Sequence, residues 1–505
     1  MTPLTSRRRG LLLLVLVATA VSWSLVGRHS GAPALAVSSA PPDVLRLGHL
    51  ALEPCDIGRA SLGIPTLRAY CTAVAVPENR AAASGRQLRL KVAVVRAEAA
   101  QADADLIVFL DGGPGGAATE DYPALAGAFA PLRKRHALLL IDQRGTGGSS
   151  PLDCGDDESS GAVADAQQLR DCVQRLTPHA APEYYTTSEA VEDLEAVRQE
   201  LGSPQLDLVG VSYGTRVAQQ FARKHYESVR AMVLDSAVPN DLALGSEHAR
   251  NLEAVLRALF TRCRAIAACA ERYGDPYQTL HRVQARLRVQ PQKLSLRDPY
   301  TFHVQEKAIT ADSLAQLVRI YAYSPYTAAL LPYVLQQADT GDYAPLMGQA
   351  QVVVGDVAES LKGGMALSVS CAEDADRLRV SPDDAGTLMG NGLSQWLLAA
   401  CPLWPHGARP ADFGEPLRGT LPVLVLAGEH DPVTPARYGE AILRTLPRGR
   451  LLQLTGQGHG LLGVGCMPHL LDEFIRTLDA PGLDTRCLEV LAQSPFFVDA
   501  NGASP

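Results

Sequence analysis

A chain of 505 residues, 47% of them hydrophobic, can bury a large core; the length suits one large α/β domain with an insertion, or two to three average domains. A formal net charge of −8, with no basic stretch after the first few residues, excludes nucleic acid as an expected partner. No repeat recurs at solenoid or propeller periods.

In chain order, the first signal is a targeting segment. Arg7-Arg8-Arg9 is a positive n-region, residues 11–26 are apolar, and Ala34-Leu35-Ala36 is a small-x-small cleavage pattern. Residues 1–36 therefore read as a signal peptide, and the mature chain as exported, periplasmic or secreted. No later segment is long and apolar enough to span a bilayer. A Ser/Ala/Pro-rich linker follows at 37–42, and the stretch up to Cys71 lacks clear periodicity. The ten cysteines, Cys55, Cys71, Cys154, Cys172, Cys263, Cys269, Cys371, Cys401, Cys466 and Cys487, fall into five neighbouring couples. Spacing does not dictate connectivity, but pairing in order is the simplest proposal for an exported chain. No C-x-x-C with zinc spacing occurs, so no metal is expected, nor any other cofactor.

Residues 72–76 and 88–95 alternate like an antiparallel strand pair. Residues 106–110 and 137–141 are continuous apolar runs, as central strands of a covered sheet require. Further runs lie at 206–209, 231–234, 423–426 and 451–454, with helical periodicity at 188–201 and 436–446. Strands alternating with helices predict an α/β fold with a mostly parallel sheet. The interval between Leu234 and Val423 breaks the rhythm. It is mostly helical in pattern and too long for a structureless loop. We read 37–239 and 421–505 as the two parts of the core and 240–420 as an inserted, mainly helical cap.

Within the core, Gly210-Val211-Ser212-Tyr213-Gly214 sits between a strand and a helix, the context that makes G-x-S-x-G a nucleophile elbow. A serine on so tight a turn needs glycine two residues either way, because larger side chains would strike the strand and the helix. Serine needs a base, and the base an orienting acid. Gly428-Glu429-His430-Asp431-Pro432 follows one late strand and Gly458-His459-Gly460 another, which points to Asp431 and His459, with Glu429 and His430 as rivals. For the oxyanion, one amide is expected from Tyr213 and the other from Gly113, within Asp111-Gly112-Gly113-Pro114-Gly115-Gly116 after the strand at 106–110. The second glycine-rich turn, residues 142–149, lacks phosphate-loop spacing. It reads as a structural loop with Asp142 and Arg144 in an ion pair.

With these residues in view, the chain resembles the secreted tripeptidyl/prolyl aminopeptidase branch of the α/β-hydrolases. The matching pieces are Gly112 to Gly116, Asp142 to Gly145, Gly210 to Gly214, Gly428 to Pro435 and Gly458-His459-Gly460. Cys371-Ala372-Glu373-Asp374 and the region holding Cys466 and Cys487 match as well. Asp111 departs from the pattern, since relatives carry His or Asn there. The resemblance implies a metal-free serine exopeptidase acting on peptides with a free N-terminus. It also implies Glu373, with Asp374 second, as the acid facing the substrate ammonium; the alternative for Glu373 is a salt-bridged glutamate. The same triad would serve a carboxylesterase or lipid-ester hydrolase, and a non-catalytic binding protein is a third reading.

Overall fold

The computed structural model describes residues 43–59, 66–82, 84–99, 105–154, 166–298, 301–348, 351 and 362–503. The signal peptide expected at 1–36 and the linker expected at 37–42 lie outside the described residues. The central sheet has ten strands in the order β1-β2-β3-β4-β6-β5-β7-β8-β11-β12. These are β1 (Leu45–Leu47), β2 (Leu50–Ile57), β3 (Leu67–Pro77), β4 (Gln87–Val95), β5 (Leu106–Leu110), β6 (Ala137–Ile141), β7 (Leu206–Val211), β8 (Val229–Asp235), β11 (Val423–Gly428) and β12 (Gly449–Leu454). The first four form an antiparallel run joined antiparallel to β6, and from β6 onward every pairing is parallel.

The apolar runs are explained by what covers the sheet. Val108, Leu139, Leu208, Leu234 and Val425 feed one buried cluster; their chain neighbours Phe109, Leu140, Val209, Val233 and Leu426 feed another on the opposite face. A strand buried on both faces has no polar side to show. The strands β1 and β2 had no clear signature in the sequence, because they sit at the sheet's edge and alternate only weakly in burial. All ten cysteines pair in chain order: Cys55–Cys71, Cys154–Cys172, Cys263–Cys269, Cys371–Cys401 and Cys466–Cys487. Among the described residues, no helix is long and apolar enough to cross a membrane.

Between β8 and β11 the described chain is mostly helical, with one antiparallel hairpin of β9 (Gln292–Arg297) and β10 (Val304–Ile309). Its helices His248–Ala265, Pro276–Val289, Ala311–Tyr321 and Leu331–Asp339 share an apolar cluster of their own, built on Leu256, Phe260, Leu280, Leu314 and Val334. The later helix Gly363–Glu373 behaves differently: Met365, Val369 and Cys371 pack into the cluster under the sheet.

Candidate active site

Ser212 stands between the end of β7 and the helix Tyr213–Lys224, with φ 54° and ψ −122°. A non-glycine residue at positive φ is strained and persists only where its surroundings enforce it. Here the enforcement is steric. A Cβ on Gly210 would lie 2.6 Å from the Gly214 carbonyl oxygen, and one on Gly214 would lie 2.1 Å from that of Leu110. The Ser212 N–H donates to the Asp235 carbonyl at 2.9 Å, which ties the turn to the end of β8.

The loop after β5 runs past this serine, since a Cβ on Gly112 would come within 3.2 Å of the Ser212 Cβ. Gly113 is exposed and takes φ 115°, a conformation that favours glycine. Asp111 accepts the Gly112 N–H at 2.7 Å, and burial, then the neighbouring Asp121, raise its carboxyl well above the ordinary range. In the adjacent turn the expected Asp142–Arg144 ion pair does not form. The buried Asp142 carboxylate is filled by Thr119 N–H, Thr119 hydroxyl and Gly148 N–H, each at 2.9 Å. Arg144 instead donates twice to Asp193, both at 2.7 Å, and to the carbonyls of Glu78 and Tyr184. A planar guanidinium is best matched by a carboxylate with both oxygens free.

Asp431 and His459 lie just beyond β11 and β12, and His459 Nδ1 is 2.8 Å from Asp431 Oδ2. Asp431 is buried; it also accepts the Val433 and Thr434 N–H groups on Oδ1 and the Thr434 hydroxyl on Oδ2, each at 2.8 Å. Burial pushes the Asp431 carboxyl up, but the imidazole and these amides outweigh it and leave it below its ordinary value. For His459 burial acts downward, and the Asp431 charge and hydrogen bond reverse it to leave the imidazole above its ordinary value. The rivals have other partners. Glu429 accepts from Gly456 N–H and Gln493, both at 2.7 Å, and His430 Nε2 lies 3.0 Å from the Gln493 amide oxygen.

Sequence reading missed the residues that join the serine turn to the histidine loop. Asp235 Oδ2 accepts the N–H groups of Leu461 and Leu462 at 2.6 and 3.0 Å. Ser236 Oγ accepts the Gly460 N–H at 2.9 Å and donates to Asp235 Oδ1 at 3.1 Å. Burial raises the Asp235 carboxyl to about 6. The available signal was position, since Asp235 ends a strand at the same sheet edge as Ser212. On the other side, the Tyr323 carbonyl accepts the His459 N–H at 2.8 Å, and the two rings meet edge-on at 5.0 Å.

Glu373 and Asp374 close the helix Gly363–Glu373 and are both buried. Glu373 accepts the Thr187 N–H and hydroxyl at 2.6 and 2.9 Å and lies 3.6 Å from Arg216. The Thr187 hydroxyl also meets the Tyr213 hydroxyl at 2.7 Å, so Glu373 is two hydrogen bonds from the residue after the serine. Asp374 is held by Arg216 at 3.0 Å and Arg377 at 2.6 Å. Burial raises Glu373 to about 7 against the opposing pull of Arg216. Chemically, an imidazole fixed at Nδ1 by a carboxylate leaves Nε2 to take up and return a proton, beside a loop and a helix start that supply backbone N–H groups.

Comparison with known proteins agrees with this architecture. The family described as alpha/beta hydrolase fold matches residues 105–268, and the family described as TAP-like protein matches residues 387–487. A tripeptidyl aminopeptidase of Streptomyces coelicolor is 24% identical over 464 residues, covering 83% of this chain and 82% of the relative. The serine protease Hip1 of Mycobacterium bovis is 24% identical over 482 residues, covering 86% and 90%. A proline iminopeptidase of Neisseria gonorrhoeae is 31% identical over 137 residues, 27% of this chain and 34% of the relative. The chain has the α/β-hydrolase fold, and over most of its length it is similar to relatives of the tripeptidyl/prolyl aminopeptidase-like branch.

Proposed function

We propose that this serine hydrolase is an exported aminopeptidase that releases N-terminal residues or tripeptides from peptides. Ser212 Oγ attacks the scissile carbonyl while its proton passes to His459 Nε2, and the C–N bond then breaks as that proton moves to the leaving amine. Water, deprotonated by the same imidazole, releases the acyl group. Asp431 fixes the ring, and the N–H groups of Gly113 and Tyr213 receive the oxyanion. The observation that carries this reading is the 2.8 Å bond between His459 and Asp431 at the same sheet edge as a serine held at φ 54°. The kinship with a tripeptidyl aminopeptidase supports a peptide substrate.

For the substrate ammonium we keep Glu373 as the partner and Asp374 as its neighbour. A carboxyl raised to about 7 stands between charge states near neutrality, and an arriving ammonium would hold it ionised. Residues 240–420 act as the cap that limits which peptides enter, and removal of residues 1–36 accompanies export, with the five disulfides suited to an oxidising compartment.

The test is a set of mono-, di- and tripeptide anilides, free and N-acetylated, with wild type and Ser212→Ala. We expect cleavage of the free forms, rejection of the acetylated ones, and a loss of roughly 10³-fold or more in kcat for the variant. Full activity in Ser212→Ala would overturn the nucleophile. Equal cleavage of both forms, together with rapid ester hydrolysis, would replace the aminopeptidase with an esterase.

A further inference from the structure

The helix Ala311–Tyr321 brings Arg319, a cation without an ion-pair partner among the described residues, towards the histidine that Asp431 holds. Arg319 Nη2 donates to the Tyr323 hydroxyl at 2.8 Å, and its guanidinium carbon lies 5.5 Å from the Tyr323 ring centroid. The same ring stands 5.0 Å from the His459 ring, so the guanidinium lies within roughly 10 Å of the imidazole. Arg319 Nε is buried without a hydrogen-bond partner, and so is Nδ1 of the neighbouring His248. Among the described residues, no carboxylate forms an ion pair with Arg319. The two fully buried arginines differ from it, with Arg144 at 2.7 Å from Asp193 and Arg216 at 3.0 Å from Asp374. Arg319 is only partly buried and no carboxylate neutralises it, so its charge is left for an incoming anion to meet.

We infer that Arg319 receives a carboxylate carried by the leaving portion of the substrate: a free α-carboxylate one or two residues beyond the scissile bond, or an acidic side chain there. This rests on the peptidase reading above and deepens it by naming a substrate class. The side is set by the chemistry. His459 hands its proton to the leaving amine, and Arg319 reaches the site through the residue that contacts His459. The reach is set by chain length. An extended residue spans roughly 3.3–3.6 Å, so one or two residues place a carboxylate within range of the guanidinium.

The experiment compares peptides of two to five residues as free acids and as C-terminal amides, and amides with Glu or Gln in the leaving portion. Wild type should cleave the carboxylate-bearing member of at least one pair with kcat/KM higher by about 10-fold or more, chiefly through KM. The acid/amide ratio reads an α-carboxylate, and the Glu/Gln ratio reads a side chain. In Arg319→Met both ratios should fall to near one, and Arg319→Lys should keep part of the preference. Each ratio is internal to one enzyme, so a general loss of folding does not imitate the result. Wild-type ratios near one in both pairs, with brisk cleavage, overturn the role of Arg319 alone, and so does a preference that survives in Arg319→Met. If wild type cleaves none of these peptides while a fluorophosphonate still labels Ser212, the peptidase reading fails and this inference falls with it.

Discussion

Asp235 accepts the backbone N–H of Ser212 at 2.9 Å through its main-chain carbonyl, while its side chain accepts the N–H groups of Leu461 and Leu462 beside His459. One residue at the end of β8 therefore sets the distance between the serine turn and the histidine loop. In Asp235→Asn the amide NH₂ can accept nothing: at the Oδ2 position it strips both loop N–H groups of their partner, and at the Oδ1 position it removes the acceptor of the Ser236 hydroxyl. We expect a cost of about 1–3 kcal/mol and a lowered kcat. Thermal unfolding and steady-state kinetics check both, and unchanged values for both would refute the clamp.

The pH profile follows from the pairing of His459 with Asp431. The imidazole must be neutral to accept a proton, and Asp431 holds its pKa above the ordinary 6.5. Activity, read as kcat/KM, should therefore rise with pH through an apparent pKa above 6.5. Burial and the charge of Arg319 act the other way, so Arg319→Met should move the midpoint higher still. A midpoint below that of free histidine would contradict this balance.

Gly214→Ala would place a methyl group 2.1 Å from the Leu110 carbonyl oxygen, with backbone on both sides and no flexible side chain to yield. The turn must open or the strand must shift. We expect a loss of several kcal/mol, in the range of severe core lesions. Soluble yield, melting temperature and fluorophosphonate labelling are the readouts. Normal labelling with a normal melting temperature would show that the turn tolerates the methyl.

Glu373 supplies a stability test independent of catalysis. Its folded pKa is raised to about 7 from an ordinary 4.5, so between these values the folded chain holds a proton that the unfolded chain has released. For a raised carboxyl this means the contribution is fully present below pH 4.5 and is lost as pH rises through about 7. Glu373→Gln removes this slope. The stability of wild type relative to the variant should fall by up to about 3 kcal/mol across that window. Parallel denaturation curves at each pH would exclude it.

The sequence by itself determined the alternation of buried strands and helices, the serine turn, and the strand-end placement of Asp431 and His459. Each of these is written in a few consecutive residues whose steric or hydrophobic requirement is local. For the disulfides the sequence offered pairing in order only as the simplest proposal, and the structure shows that pairing. Only the tertiary structure decided which charges meet. Arg144 lies two residues from Asp142, yet its bidentate partner is Asp193; Glu373 faces Thr187 and Arg216; and Arg319 bonds the Tyr323 hydroxyl, with no ion pair among the described residues. A guanidinium on a long side chain pairs with whatever carboxylate the fold brings near with free oxygens, and no local pattern records that. Asp235 was missed for the same reason, since its role exists only where β7, β8 and the loop after β12 converge.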